Sequence, residues 1–249
     1  PIPEFAHIPL IHGPDGAKLS KRHGALGVDS YREMGYLPEA LRNYLLRLGW
    51  GHGDDEIIDT EQAVRWFDLD GVGKSAARFD FAKLDNLNKH YVQRAEDERL
   101  VALVLQRLTA DGAAAPGETA LARLRAGMAG LKQRATTLSD LTESARMYTA
   151  PRPIECDEKA AKLLDDAARS RLAGLATALE KIKSWDEDAI EAGIRTHAEA
   201  ADIKLGQLAQ PLRAALTGRA VSPGIFEVMA VLGREECLAR INDVQAAGP

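Results

Sequence analysis

Apolar residues recur at helical spacing along most of this chain, and the pattern predicts a mainly α protein. Extended character is confined to the start, where Phe5 to Ile11 reads as a strand and Gly13-Pro14-Asp15-Gly16 as the turn after it. Pro38 suits a first helical position, and Leu41, Tyr44, Leu45 and Leu48 then share a face before Gly49. Thr60 reads as the cap of a helix with Ala63, Val64 and Phe67 inward. Asp80 reads as the next cap, followed by a stripe of Phe81, Leu84, Leu87 and Tyr91. From Glu98 onward the pattern is helical almost throughout. Leu100, Val101, Val104, Leu105 and Leu108 form one face, Asp111 to Gly117 breaks the chain, and a basic helix and a second helix from Ser139 to Tyr148 follow. Thr149-Ala150-Pro151-Arg152-Pro153 reads as a linker. Beyond it helices are expected at about 157–169, 171–182, 185–200, 204–217, 223–232 and 234–246. Ser184 with Glu187 fits a capping box, Ser222-Pro223 a cap before a first-turn proline, and Gly233 a helix end.

A chain of 249 residues exceeds one typical domain of about 100–200. Three modules are expected, at 1–92, 93–150 and 151–249. With 45% hydrophobic and 28% charged residues the composition is that of a soluble globular protein, and no run approaches the roughly 18 apolar residues of a membrane span. Cys156 and Cys237 lack zinc-type spacing and suit a reducing compartment, so a cytoplasmic location is expected. The net charge of −5 speaks mildly against nucleic acid as a partner, but its distribution matters more. Asp54 to Asp70 holds seven acids and one base, Arg65, whereas Leu121 to Leu138 holds four bases (Arg123, Arg125, Lys132, Arg134) and no acid. One face can therefore meet RNA while another is kept from it.

The residues richest in chemistry are Lys18-Leu19-Ser20-Lys21-Arg22, directly after the glycine turn. Two flexible ammonium groups and a hydroxyl suit a clamp that follows phosphate oxygens as charge moves. Gly71-Val72-Gly73-Lys74-Ser75 has half of a P-loop pattern, but Asp68 stands where its first glycine belongs and no apolar strand precedes it. Gly51-His52-Gly53-Asp54-Asp55 does not converge on a metal by spacing, and no metal site is expected in this chain. His7 and His12 flank the stretch before the lysine loop, either as ordinary packing and surface residues or as the lining of a nucleotide entrance.

The order of segments adds to this. Ala6-His7-Ile8-Pro9-Leu10-Ile11, Asp15-Gly16-Ala17-Lys18-Leu19-Ser20-Lys21-Arg22, Tyr31-Arg32-Glu33-Met34-Gly35-Tyr36-Leu37-Pro38-Glu39-Ala40-Leu41 and Asn43-Tyr44-Leu45-Leu46-Arg47-Leu48-Gly49-Trp50 follow one another. Arg78-Phe79-Asp80-Phe81-Ala82-Lys83-Leu84, Gln210-Pro211-Leu212-Arg213 to Gly218, and Val231-Leu232-Gly233-Arg234-Glu235 come later. This succession resembles bacterial glutamyl-tRNA synthetase from its second class I signature loop onward, with Leu19 and Arg22 as variants of Lys-Met-Ser-Lys-Ser. None of the six histidines sits in the His-Ile-Gly-His type motif of the family's first half. The chain is therefore expected to be a carboxy-terminal portion of a longer enzyme, truncated by design or by proteolysis.

The resemblance implies a short β segment leading into the signature loop, a helical stem-contact fold, and an all-helical anticodon-binding region. It implies ATP-dependent attachment of glutamate to tRNA(Glu), with Mg²⁺ as activator, no membrane partner, and a monomer. Lys21 would stabilise the β- and γ-phosphates as pyrophosphate leaves, Lys18 and Ser20 would assist, and Arg22 would contact phosphate or anchor the loop. Anticodon bases would be met by Gln210, Arg213, Ser222, Pro223, Ile225 and Phe226, with Arg134 from the first helical module. The isolated chain would be inactive, and a stand-alone RNA-binding or docking module without chemistry stays open at this level.

Overall fold

Helical periodicity resolves into thirteen helices among the described residues, joined by one two-stranded sheet. The computed structural model describes residues 2, 3, 5, 7–20 and 26–246. No helix among them is long and apolar enough to cross a membrane. Contacts group the chain into two compact units, Pro1–Glu96 with Ala135–Leu141, and Asp97–Arg134 with Thr142–Pro249.

The first unit contains β1 (Ile11–His12), α1 (Val28–Met34), α2 (Pro38–Arg47), α3 (Thr60–Trp66), β2 (Ala77–Arg78) and α4 (Phe81–Arg94). The strand expected over Phe5 to Ile11 shrinks to β1. A strand needs partners for its backbone groups, and among the described residues β1 finds them in β2, in parallel, with Ile11 beside Ala77 and His12 beside Arg78, and in the segment at Lys18 on its other side. Phe5, Ile8 and Leu10 are exposed. Beneath β1 and β2 lies an aromatic cluster of Tyr31, Tyr36, Tyr44 and Phe79 with Leu41, Leu48 and Leu84. Tyr44 meets Phe79 edge-on at 5.0 Å between centroids, and its hydroxyl accepts a bond from the Asp80 amide. Two buried asparagines fix the loops around this core. The Asn88 carbonyl accepts the Leu37 amide at 2.8 Å while its amide donates to Thr136 at 2.6 Å. Asn43 accepts from the Ile58 amide and the Tyr91 hydroxyl. Gly35 is held at φ 91°, and a Cβ there would lie 2.6 Å from the Ser139 amide nitrogen, so only glycine fits. The cap of α3 is Asp59 rather than Thr60, in a reciprocal box with Gln62. Val64 and Phe67 are exposed rather than inward.

The second unit is built from α5 (Asp97–Ala110), α6 (Glu118–Lys132), most of α7 (Leu138–Thr149), α8 (Glu158–Ala161), α9 (Asp166–Leu179), α10 (Glu187–Ala200), α11 (Leu205–Thr217), α12 (Ile225–Leu232) and α13 (Arg234–Ala246). Its core is aliphatic: Leu100, Val104, Leu124, Met128, Leu172, Leu175, Leu179, Ile190, Ile194, Leu208, Leu212, Val228 and Ile241 are fully or nearly fully buried. Gly127 lets α6 close onto the Tyr148 ring, where a Cβ has no room. The helices expected at 157–169 and 171–182 become a single turn and a later helix, because Asp165 accepts the Ala168 amide and restarts the chain there. Likewise Asp186, not Ser184, caps α10. Ser222 is no cap either: α12 starts after Gly224 without a side-chain cap.

One charge lies at the centre of this unit. Arg240 is 1% exposed, pairs with Glu236 at 2.7 Å, and donates from one nitrogen to the carbonyls of Met147 at 2.7 Å and Leu216 at 2.6 Å. It ties α13 to α7 and α11. Glu236 also meets Arg123 at 3.2 Å. Burial by itself would raise the Glu236 pKa, but the hydrogen bonds and charges of Arg240 and Arg123 outweigh it and hold the carboxyl below its ordinary value.

Replacing Arg240 with Met should destabilise the second unit by about 3 kcal/mol or more, since two carbonyls lose their donor and a buried carboxylate loses its nearest cation. Urea titration followed by circular dichroism measures this, with unchanged stability as the contrary outcome. Glu236 has a depressed folded pKa, so its stabilisation is complete above the unfolded carboxyl value of about 4.3 and is lost as pH falls through the lower folded value. Glu236→Gln should therefore be less stable than the parent at pH 7, and the difference should shrink on acidification below about pH 4.

Candidate functional site

Three extended segments lie side by side at one edge of the first unit. Leu19 donates its amide to Ile11 at 2.9 Å and Gly13 donates to Ala17 at 2.8 Å, which makes His12 and Lys18 directly opposed antiparallel neighbours. On the other side, Phe79 donates to His12 at 2.8 Å. Lys18, His12 and Arg78 thus form one lateral row. Side chains alternate along extended backbone, so the residues flanking this row point the other way. Ile11, Leu19 and Ala77 indeed pack against the aromatic cluster, while Lys18 and Arg78 are exposed. The turn between the first two segments is closed by the Asp15 carboxylate, which accepts the Ala17 amide at 3.0 Å.

This arrangement presents Lys18 at the root of the lysine loop and anchors the loop through Leu19. Ser20 continues it, half-buried; Lys21 and Arg22 lie outside the described residues. Arg78 is the residue that motif reading passed over. Its signal is the alternation Ala77-Arg78-Phe79, inward, outward, inward, which marks a strand within a stretch that otherwise reads as loop.

The glycine-rich stretch at Gly71 is not built for phosphate. No helix follows it directly, and Gly71 instead makes room for the Trp50 indole, which donates to the Asp68 carbonyl at 3.0 Å. His52 stacks on Trp66 at 4.3 Å and bonds Asp55 at 3.0 Å. Among the described residues no group of three or more His, Cys, Asp or Glu side chains is placed to hold a metal ion.

In the second unit, the basic run after Leu121 is largely spent on internal ion pairs. Arg123 pairs with Glu236, Arg125 with Glu98 at 3.1 Å, and Lys132 with Asp97 at 2.6 Å. Arg134 has no acid partner among the described residues. It is exposed on a groove of about 620 Å³ lined also by Pro151, Lys159, Arg219, Ser222 and Pro223. Arg219 there is engaged by Glu143 and by Asp157 at 3.8 Å, and it holds the Glu143 pKa down.

Arg213, on α11, donates to the Pro223 carbonyl at 2.7 Å and to the Ser222 hydroxyl, so it latches the loop before α12. Burial, and then the like charge of Arg134, lower the Arg213 pKa. The groove lining also holds Glu143, Glu155 and Asp157, and of these Glu143 and Asp157 are engaged by Arg219 rather than by Arg134 or Arg213. Of the other candidates, Gln210 is exposed, Phe226 is half-buried, and Ile225 is 4% exposed within the core. The structure therefore brings Arg134, Arg213, Ser222 and Pro223 together, and gives Ile225 a packing role.

Residues 85–245 match the family model of an anticodon binding domain, and residues 1–86 that of class I tRNA synthetases (E and Q), catalytic domain. The chain is 62% identical over 244 residues to glutamate–tRNA ligase 2 of Paramagnetospirillum magneticum, covering 97% of this chain and 51% of that protein. It is 58% identical over 247 residues to glutamate–tRNA ligase 1 of a Methylobacterium species, covering 97% of this chain and 52% of that protein. Among solved structures, a glutamate tRNA ligase from Elizabethkingia meningosepticum in complex with its amino acid superposes with a TM-score of 0.80 at 30% identity, over 98% of this chain and 52% of that one. The chain spans about half the length of the relatives it matches. With most of its length matched by that helical model, the chain belongs to the anticodon binding domain family, as a homologue of glutamate–tRNA ligases.

Proposed function

We propose that this chain is the carboxy-terminal half of a glutamate–tRNA ligase and supplies two of its parts, the cationic loop for the phosphates of ATP and the helical surface that reads tRNA(Glu). The observation that carries this reading is the presentation of Lys18, exposed on an edge whose other face is locked into the aromatic cluster, in a chain whose relatives at 55–62% identity are named glutamate–tRNA ligases.

In the reaction, a glutamate carboxylate oxygen attacks the α-phosphorus of ATP, the bond to the bridging oxygen breaks, and pyrophosphate leaves with the electron pair. A hydroxyl of the terminal ribose of tRNA then attacks the glutamyl carbonyl, and AMP leaves. Chemistry of this kind depends on positioning and on cations placed where negative charge grows. In this proposal Lys21 would stabilise the β- and γ-phosphates, Lys18 and Ser20 would assist, and Arg22 would contact phosphate or anchor the loop. Leu19, held in the core, limits how far the loop root can move. Mg²⁺ entering with ATP would help neutralise its phosphates.

Reading the anticodon falls to the second unit. Single-stranded bases are recognised by stacking and by a few well-placed donors. Arg134, with no acid partner among the described residues, lines the groove, and Arg213 shapes its wall through Ser222 and Pro223. Gln210 and Phe226 flank that wall along the chain.

By itself the chain should form no glutamyl-adenylate, because it spans about half the length of its relatives and the glutamate and adenine pockets are expected in the other half; measurable ATP–pyrophosphate exchange by the purified chain would contradict this. In the full-length protein, Lys21→Ala should cut ATP–pyrophosphate exchange by about 100-fold or more, as for loss of a transition-state charge contact, while tRNA affinity changes little. Near-normal exchange would remove Lys21 from the mechanism.

Arg134→Ala should reduce discrimination among anticodon variants by about 1–3 kcal/mol if a base-edge contact is lost. Arg123→Ala should instead lower stability and leave discrimination as it was, since its charge is used by Glu236. Fluorescence anisotropy with a set of anticodon mutants reads both; equal weakening of every RNA by Arg134→Ala would make it a backbone contact.

A further inference from the structure

The lateral row of Lys18, His12 and Arg78 is larger than the lysine loop requires for its own folding. All three side chains leave the same face of three paired segments, and the His12–Lys18 pair is of the non-hydrogen-bonded kind, in which opposed side chains approach most closely. Neither Lys18 nor Arg78 has an ion-pair partner among the described residues. The nearest carboxylates along the chain are both engaged by backbone amides, Asp15 by Ala17 at 3.0 Å and Asp80 by Ala82 at 2.9 Å. Gly16, at φ 80°, lies beneath the guanidinium: a Cβ there would stand 3.4 Å from Arg78 Nη2. The arginine therefore reaches over the turn from which the lysine loop starts.

An exposed guanidinium whose donors are unused among the described residues, one register position from an imidazole and two from an ammonium, is a receptor for an extended polyanion. We infer that Arg78, with His12 between it and Lys18, forms a second polyphosphate contact beside the signature loop. Arg78 offers a planar pair of donors to one phosphate, Lys18 a point charge to the next, and His12 a single ring N–H between them. This rests on the reading of the loop as a phosphate clamp. It gives the neighbouring face a specific role, which is to hold the leaving polyphosphate by its far end.

The test uses the chain as it is, with inorganic tripolyphosphate as the probe, followed by isothermal titration calorimetry. Arg78→Ala should weaken tripolyphosphate about tenfold, the loss expected for one charge-assisted contact, and Arg78→Lys should recover part of it. Arg195→Ala, which removes an exposed cation on α10 paired with Glu191, should change nothing and so separates a local site from net charge. The thermal midpoint of Arg78→Ala should equal the parent's, because no hydrogen bond or ion pair of Arg78 supports the fold among the described residues.

Equal affinity of parent and Arg78→Ala would overturn the inference. So would equal weakening by Arg195→Ala, or a loss of affinity matched by a loss of folded protein. A parallel titration with an RNA hairpin distinguishes the source of phosphate: weakening of RNA alone, with tripolyphosphate unaffected, would assign Arg78 to nucleic acid and refute the polyphosphate role. Because the binding arm needs no charging activity, it can succeed while the exchange test on Lys21 fails, and the reverse.

Discussion

A guanidinium buried among helices is costly unless its charge is answered and its donors are used, and Arg240 is held at Nε by Glu236 and at one Nη by two backbone carbonyls. Those carbonyls belong to the last turns of α7 and α11, where helices leave C=O groups without partners. The arginine thereby does for two helix ends what a cap residue does for one. Because α11 also holds Arg213, and Arg213 in turn holds Ser222 and Pro223, the wall of the Arg134 groove depends on where Arg240 places α11. The recognition proposed for that groove is thus connected through hydrogen bonds to a buried charge.

The first unit solves a different problem with little regular structure. A loop proposed to act on phosphates needs a fixed root. Two residues of β1, two of β2 and the segment at Ala17 to Leu19 are enough, because alternation sends Ile11, Leu19 and Ala77 into the aromatic cluster and leaves the polar row outside. Tyr44 reinforces the junction by accepting from the Asp80 amide and donating to its carbonyl. A long strand is unnecessary where a few backbone neighbours can be fixed by side chains packed on rings.

The charge pattern also changes meaning in three dimensions. Four bases without an acid over Leu121 to Leu138 read as an RNA-facing stripe, yet three of them meet carboxylates brought by α5 and α13. Coulombic attraction between half-buried groups is stronger than between solvated ones, and it claims Arg123 and Lys132 for the fold, whereas the Arg125–Glu98 pair is exposed. What is left over, Arg134, has chemical interest because its neighbours were consumed.

How much was legible follows from which forces act locally. Helix existence from Glu98 onward, the break at Asp111 to Gly117, the cap at Asp80 and the stop at Gly233 are set by side chains within a turn or two of one another, so the sequence by itself determined them. The order of motifs was likewise sufficient to place the chain among glutamate–tRNA ligase homologues. Caps were misassigned where two competent residues stood close together, Thr60 beside Asp59 and Ser184 near Asp186, because a carboxylate competes better for amide hydrogens and only the backbone path decides between them. The pairing of β1 with β2 joins residues more than sixty positions apart, and the partners of Arg123 and Arg213 and the carbonyls that Arg240 meets come from outside their own helices. Such choices have no local signal: they are settled by which surfaces exclude water together, and that was decided only by the tertiary structure.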